Sequence, residues 1–547
     1  MTTELTTSDL AKEVPLIAAD ELIAASQDSA PPVIIDVRER GEYVGRQISG
    51  AVTVSRGLFD LVIGDVVPEP STPIVLYCDD GYRSLRAAET ASRLGYREVS
   101  VLAGGIDAWI AAGGETTYGA NVIGKDFGER LAVREEIDEL EANAVDDVIR
   151  AGGSLIIDSR TPSEYAEGHL PTAVNIAAGE IPAALFALRE AGRLPARVVV
   201  HCAGRTRSLV GAHIVDRLGI VEHVHALRNG TMAWLMSGRE LELESSKAPD
   251  NRGGWQEAGR FARALTDEAG IEATAQSELG AVPSHGRSSY TIDVRLTPEY
   301  EAGHISGSIS IPSGQLANIA DEFIGDRHGR IVCVSHDETR ARLAAHVLRE
   351  IGYPRASWLE GGMSAWLEAG RPVETGREQI RHRSYPAVTA ARGRVPAVTW
   401  ADIATGQFVV LDVRRSSEFA VRHVPGSRWV PRGDLERRVG DVIADRSRPI
   451  VVVSNRDLRG TLAASTLLRL GYDNVFRLEG GLDGVPDAPS RLVEGLDGAD
   501  VDLQEAKDDV DLMGERGTIL QFDRRDMQQY LDWEINLGEK YKDERRK

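Results

Sequence analysis

The chain predicts an α/β fold repeated four times in tandem, each unit a mostly parallel sheet with helices on both faces. Three observations carry that expectation. One ordered set of short motifs recurs four times along the 547 residues. Within each copy, strand-forming apolar runs alternate with segments of helical apolar spacing, the pattern of a parallel sheet covered on both sides. The residues able to do chemistry fall where a strand hands over to a helix, at the carboxyl end of a strand, which is where open α/β sheets place their sites.

The first element of each unit is an apolar strand ending in Asp-x-Arg: Ile34 to Arg38, Ile156 to Arg160, Thr291 to Arg295 and Val410 to Arg414. An acid and an aromatic ring follow, Glu42-Tyr43, Glu164-Tyr165, Glu299-Tyr300 and Glu418-Phe419. Next come Gln47-Ile48, His169-Leu170, His304-Ile305 and His423-Val424, each leading into a second apolar strand. The third shared element is a run of strand formers, Ile74 to Tyr77, Val198 to His201, Ile331 to Val334 and Ile450 to Val453, then a loop and an amphipathic segment such as Leu85 to Leu94. The fourth is Leu-x-Gly-Gly-x-x-Ala-Trp, seen as Leu102 to Trp109 and Leu359 to Trp366, loosened in Leu227 to Trp234 and without its Trp in Leu478 to Gly484.

The aspartates of the first element stand 122, 135 and 119 residues apart. Those intervals are domain-sized, which makes the chain an array of folded units and not a solenoid. Segments 119–132, 243–275 and 376–395 mix charge with Gly and Pro and read as connectors. Glu494 to Glu515 holds nine acids against Lys507 and reads as a solvated stretch. Asp523 to Lys547 carries Met527, Tyr530, Leu531, Trp533, Ile535 and Leu537 among its charges, the pattern of a terminal helix that docks on a domain or a partner.

Composition bounds the function classes. Hydrophobic residues make up 42% and charged residues 27%, ordinary for a globular protein with several cores. A net charge of −21 argues against a nucleic-acid or anionic-membrane partner for the molecule as a whole, and any anionic substrate must be captured by local donors. Met1 to Val14 shows neither a basic cluster nor an apolar stretch of signal-peptide length, and no run reaches the roughly 18 apolar residues of a membrane span. Three cysteines do not build a disulfide framework. A cytoplasmic protein with thiol chemistry is the expectation.

Two of those cysteines share one local frame, Cys78-Asp79-Asp80-Gly81-Tyr82-Arg83-Ser84 and Cys202-Ala203-Gly204-Arg205-Thr206-Arg207-Ser208. Backbone N–H groups of such a turn converge on the sulfur, the following helix offers its positive dipole end, and a guanidinium stands nearby; all three favour the thiolate, the nucleophilic form. Ser335 and Ser454 occupy the cysteine position in the other two units, and Cys333 lies two residues earlier among strand core residues. The Asp-x-Arg pairs Asp36, Asp158, Asp293 and Asp412 recur with and without the cysteine and read as structural. His169, His304 and His423 occur once per unit without metal-ligand spacing, and Trp109, Trp234 and Trp366 read as core filling.

This ordered set resembles the rhodanese family of sulfurtransferases over about residues 1–487. The resemblance implies four rhodanese-like domains, 1–118 with the Cys78 loop, 130–243 with the Cys202 loop, 260–376 with Ser335 and 394–487 with Ser454, then an acidic linker and C-terminal helix over 488–547. It implies a five-stranded parallel sheet in each, with the reactive loop after the fourth strand. It also implies ping-pong chemistry: the thiolate takes the outer sulfur of thiosulfate, a thiosulfonate or a persulfide, forms Cys–S–SH, and passes the sulfur to cyanide or a thiol, with no metal or organic cofactor. A persulfide carried by a partner protein is a further donor. Cys202 is the leading nucleophile, with Arg205 and Arg207 expected to fork onto the donor and Gly204 and Ser208 beside it. Cys78, with Gly81, Arg83 and Ser84, is the second, and Asp79 and Asp80 are expected to turn it toward a neutral or protein-borne persulfide. Ser335 and Ser454 mark degenerate sites, since a serine cannot hold a sulfane sulfur by this route.

Two rival readings stay open on sequence. A cysteine phosphatase or arsenate reductase also sets a thiolate against an arginine, although the phosphate-handling relatives resemble a loop one residue longer than the four residues between Cys and Arg here. A binding scaffold with redox-sensing cysteines is the non-enzymatic rival, favoured by the two serines.

Overall fold

In a computed structural model of the chain, each Asp-x-Arg run forms an inner strand of a five-stranded parallel sheet, and there are four such sheets. The structure describes residues 12–244, 246, 248–280, 286–376, 385–495 and 524–544. Most of the acidic stretch after Glu494 lies outside them, as does the start of the chain.

The first sheet runs Leu16–Ile17, Val99–Leu102, Ile74–Tyr77, Val33–Asp36, Val52–Thr53 from edge to edge. The other three repeat that order around the strands Arg197–His201, Arg330–Val334 and Ile450–Val453, the second starting from its opposite edge. Each of these is fourth of its sheet in chain order and is buried on both faces, hence its continuous Val/Ile character. Parallel register sets Asp36 beside Tyr77, Asp158 beside His201, Asp293 beside Val334 and Asp412 beside Val453. Each aspartate therefore stands next to the residue that immediately precedes the Cys or Ser.

The repeated pairs clamp that end of the sheet. Arg38 Nε and its backbone N–H both donate to Asp36 Oδ1, at 3.0 and 2.9 Å, and its Nη2 reaches the Arg46 carbonyl. Arg160, Arg295 and Arg414 repeat the arrangement on Gly168, Gly303 and Arg422. His169, His304 and His423 stack on Tyr165, Tyr300 and Phe419 with centroids 3.9, 3.7 and 3.9 Å apart, and Trp109, Trp234 and Trp366 each give their indole N–H to a backbone carbonyl at the domain's end.

All three segments that read as connectors contain a helix, Val122–Arg134, Trp255–Glu268 and Tyr385–Arg392. The lower domain boundaries at 130 and 260 fall inside the first two. The glycines of Val122–Arg134 are contact points: a Cβ on Gly124 would collide with the Ala317 carbonyl oxygen, and one on Gly128 would lie 3.0 Å from Thr206 Cα. Burial of Phe127 and Leu131 against this close approach outweighs the helix-propensity cost of glycine, about 1 kcal/mol each.

The molecule divides into two units, one of Met1–Ala120 with Gln379–Glu515, the other of Asn121–Glu378 with Arg516–Lys547. In the first, the domain bearing Cys78 packs on the domain bearing Ser454: Arg432 forks onto Asp60 at 2.7 and 2.5 Å, and Arg437 lies 3.5 Å from Asp80 and over the Tyr82 ring. In the second, the domain bearing Cys202 packs on the domain bearing Ser335, and Arg340 reaches back to Glu180 at 2.9 Å. That unit also holds the C-terminal helix Arg524–Asn536, whose Met527 and Leu531 pack on Met232 of the helix Gly230–Met236.

Candidate active site

Cys202 follows the strand Arg197–His201 and faces the first turn of the helix Thr206–Arg217, its Sγ 3.6 Å from Ser208 Oγ. Ser208 donates to the Arg205 carbonyl at 2.7 Å, which closes the turn from within. The Cys202 carbonyl accepts from the Thr231 N–H at 2.9 Å and its hydroxyl at 3.0 Å. The residue before Thr231 must be glycine: Gly230 has φ +54°, and a Cβ there would strike the Cys202 and Gly204 carbonyls. Gly105, Gly362 and Gly481 hold the same place under their own loops. The second glycine of the repeated Gly-Gly motif is thus the floor of the reactive loop.

In the first domain Cys78 sits 3.4 Å from Ser84 Oγ, with the left-handed residue Gly81 (φ +82°) beginning the helix Tyr82–Arg93. Asp79 is tied to Arg38 and Arg83, each at 3.1 Å. Asp80 faces the thiol, 3.6 Å from Sγ, and accepts from the Tyr82 N–H at 3.0 Å. Burial pushes the Cys78 thiol above its ordinary value and Asp80 adds to that, against the opposing pull of the Ser84 hydroxyl and N–H and of Arg83. The thiolate that the loop pattern favours is therefore opposed here by desolvation.

The arginines of both loops are paired with carboxylates. Arg207 forks onto Glu164 at 2.8 and 2.8 Å, and Arg83 onto Glu42 at 2.6 and 2.5 Å. Arg340 with Glu299 and Arg459 with Glu418 repeat the pair in the serine domains. Glu164 is held down to about 2: hydrogen bonds and charge from Arg207 overcome its burial. Arg205 is taken up by both oxygens of Glu129, by Glu139 and by Asn229. Both guanidiniums beside Cys202 are engaged by carboxylates of the chain itself. Two carboxylates share Arg205, and Glu129 is pushed up to about 7 by its burial and by neighbouring Glu534 and Glu139.

Glu129, Glu139 and Asn229 carry no local sequence signal that ties them to this loop. Sequence reasoning saw the repeated Glu and the repeated Arg without pairing them, although a nearly constant separation of 41 to 43 residues in all four domains was the available clue.

In the remaining domains the serine hydroxyl fills the cradle itself. Ser335 Oγ donates to the Asp337 carbonyl and accepts from the Ala341 N–H at 3.0 Å; Ser454 Oγ donates to the Arg456 carbonyl and accepts from the Gly460 N–H at 2.9 Å. Cys333 is fully buried in the apolar cluster of its sheet, and burial raises its thiol far above the ordinary range.

Four α/β domains with a cysteine or its serine replacement at the strand-to-helix turn define a tandem array of one catalytic fold. The rhodanese-like domain family matches residues 18–112, 140–237, 276–369 and 395–487, and the chain belongs to that family. A crystal structure of a thiosulfate sulfurtransferase from Pseudomonas aeruginosa aligns with 97% of this chain and 98% of its own, at TM-score 0.82 and 28% identity. A putative thiosulfate sulfurtransferase, SseB, of Mycobacterium tuberculosis is 28% identical over 207 residues, 30% of this chain and 71% of the relative. The HTH-type transcriptional regulator Rv0324 of the same organism is 39% identical over 85 residues, which cover 16% of this chain and only 37% of that relative's length.

Proposed function

We propose that the protein is a sulfurtransferase that moves sulfane sulfur from thiosulfate or a persulfide to a thiol or cyanide, with Cys202 and Cys78 as carriers. The observation that carries the reading is the seat of each thiol at the strand-to-helix turn, paired with the serines that plug the same seat in the other two domains. The similarity to a thiosulfate sulfurtransferase along nearly the full chain supports it.

In the first half-reaction the cysteine thiolate attacks the outer sulfur of thiosulfate; the S–S bond breaks and sulfite leaves with the bonding pair. The cysteine is then a persulfide, whose outer sulfur the amides of the loop hold. In the second half-reaction the acceptor thiolate or cyanide attacks that outer sulfur, and the cysteine leaves as thiolate, unchanged overall. Glu164–Arg207 and Glu42–Arg83 hold the loop in shape while its charge changes. All three cysteines are free thiols, which suits a reducing compartment, and we place the activity in the cytoplasm.

Steady-state transfer from thiosulfate to cyanide tests the reading. Cys202→Ala and Cys78→Ala are each expected to lower turnover, and the double variant to abolish it. Phosphomonoesterase turnover exceeding sulfur transfer in the parent protein would contradict the reading and favour a phosphatase.

A further inference from the structure

The backbone N–H four residues beyond the cysteine position opens the helix after the loop, and in three of the domains a carboxylate caps it. In the Cys78 domain it is the loop's own Asp80, accepting from Tyr82 at 3.0 Å; in the Ser335 domain it is the loop's own Asp337, accepting from Thr339 at 2.9 Å. Both stand two residues beyond the Cys or Ser. The Cys202 loop has Gly204 at that place and no carboxylate of its own. There the cap comes from the other end of the chain: Glu534 Oε1 accepts from the Thr206 N–H at 3.2 Å and from its hydroxyl at 2.6 Å.

The bare Gly204 makes room for this visitor. A Cβ on it would lie 3.3 Å from both Glu534 Oε2 and Tyr530 Cε1. Glu534 is fully buried, with Lys125 Nζ 4.0 Å from its Oε1, while its Oε2 has no hydrogen-bond partner among the described residues. Tyr530 lies beside it; burial, then Glu534 and Cys202, push its phenol well above the ordinary range. A buried carboxylate bonded through one oxygen, facing Glu129, is a costly contact. The apolar seat beneath it is small, centred on Met527, Leu531 and Met232.

We propose that the helix Arg524–Asn536 is an exchangeable cover over Cys202, and that Glu534 occupies the anion position a charged sulfur donor needs, making it a specificity determinant that disfavours anionic donors. Such a donor has to displace Glu534 from Thr206. The Cys78 loop is capped by its own Asp80, and the C-terminal helix packs instead on the domain bearing Cys202. This inference rests on Cys202 being the reactive thiol of the proposed sulfurtransferase.

Alkylation of the full chain tests it without requiring turnover. Neutral iodoacetamide and anionic iodoacetate are used as probes, and the Cys202 and Cys78 peptides are followed by mass spectrometry. Glu534→Gln, which keeps the shape and removes the charge, is expected to raise the iodoacetate-to-iodoacetamide rate ratio at Cys202 about fivefold. Leu531→Asp, which unseats the helix, is expected to raise both rates at Cys202 about tenfold. Cys78 serves as the internal reference and keeps its rates in both variants. Unaltered Cys202 rates and ratio in the two variants would overturn the cover even where sulfur transfer is intact. A response in labelling from a protein that never transfers sulfur would uphold the cover and remove the activity.

Discussion

Asp80 and Glu534 do the same job with different attachments, and that difference separates the two thiols. At Cys78 the capping carboxylate belongs to the loop and stands 3.6 Å from Sγ. Burial and this charge raise the thiol, so its thiolate fraction, and with it the alkylation rate of its peptide, is expected to keep climbing as pH passes the ordinary thiol value of 9.0. A rate already level at neutral pH would show an activated thiolate and contradict this account. The cysteines, the serine replacements and the acidic character of the Cys78 loop were legible in the sequence, because they are local facts. That Arg205 and Arg207 would be consumed by Glu129, Glu139 and Glu164 was not, since those carboxylates arrive from 43 to 76 residues away and no local pattern ties them to the loop.

Helices, strands and turns divide the same way. Strand runs announce themselves by continuous Val and Ile, and the handover to a helix by the break after them. The Gly-Gly motif was visible as a repeat, but its purpose needs the fold: Gly230, at φ +54°, lies directly under the Cys202 carbonyl. Gly230→Ala places a methyl group in that carbonyl and forces a left-handed residue, at a cost of about 1–2 kcal/mol for the backbone alone. A lower denaturation midpoint with slower sulfur loading at Cys202 is the expected outcome, and parent-like behaviour in both would show that the floor is not required. The helix Val122–Arg134 was illegible for the opposite reason. Its mixture of charge and glycine reads as a connector, and the contacts that use Gly124 and Gly128, with Ala317 and Thr206, lie far along the chain.

At the scale of the molecule, each cysteine domain is joined to a serine domain, the first with the fourth and the second with the third. The joints are charged as well as apolar: Arg432 on Asp60 and Arg56 on Glu436 in one unit, Arg340 on Glu180 in the other. Tandem repetition was plain from spacing, whereas this nested pairing is a matter of surfaces and left no periodic trace. The serine domains have kept the sheet, the Glu–Arg brace and the glycine floor, and have closed the cradle with a hydroxyl. In each pair one member bears a thiol at the strand-to-helix turn and the other a serine. The most direct test is mass spectrometry of the full chain after incubation with thiosulfate. The account predicts a gain of about 32 Da, one sulfur atom, on the Cys78 or Cys202 peptide, reversed by cyanide and absent from Cys333. Peptides that keep their unmodified mass, in the parent protein and in Glu534→Gln alike, would contradict it.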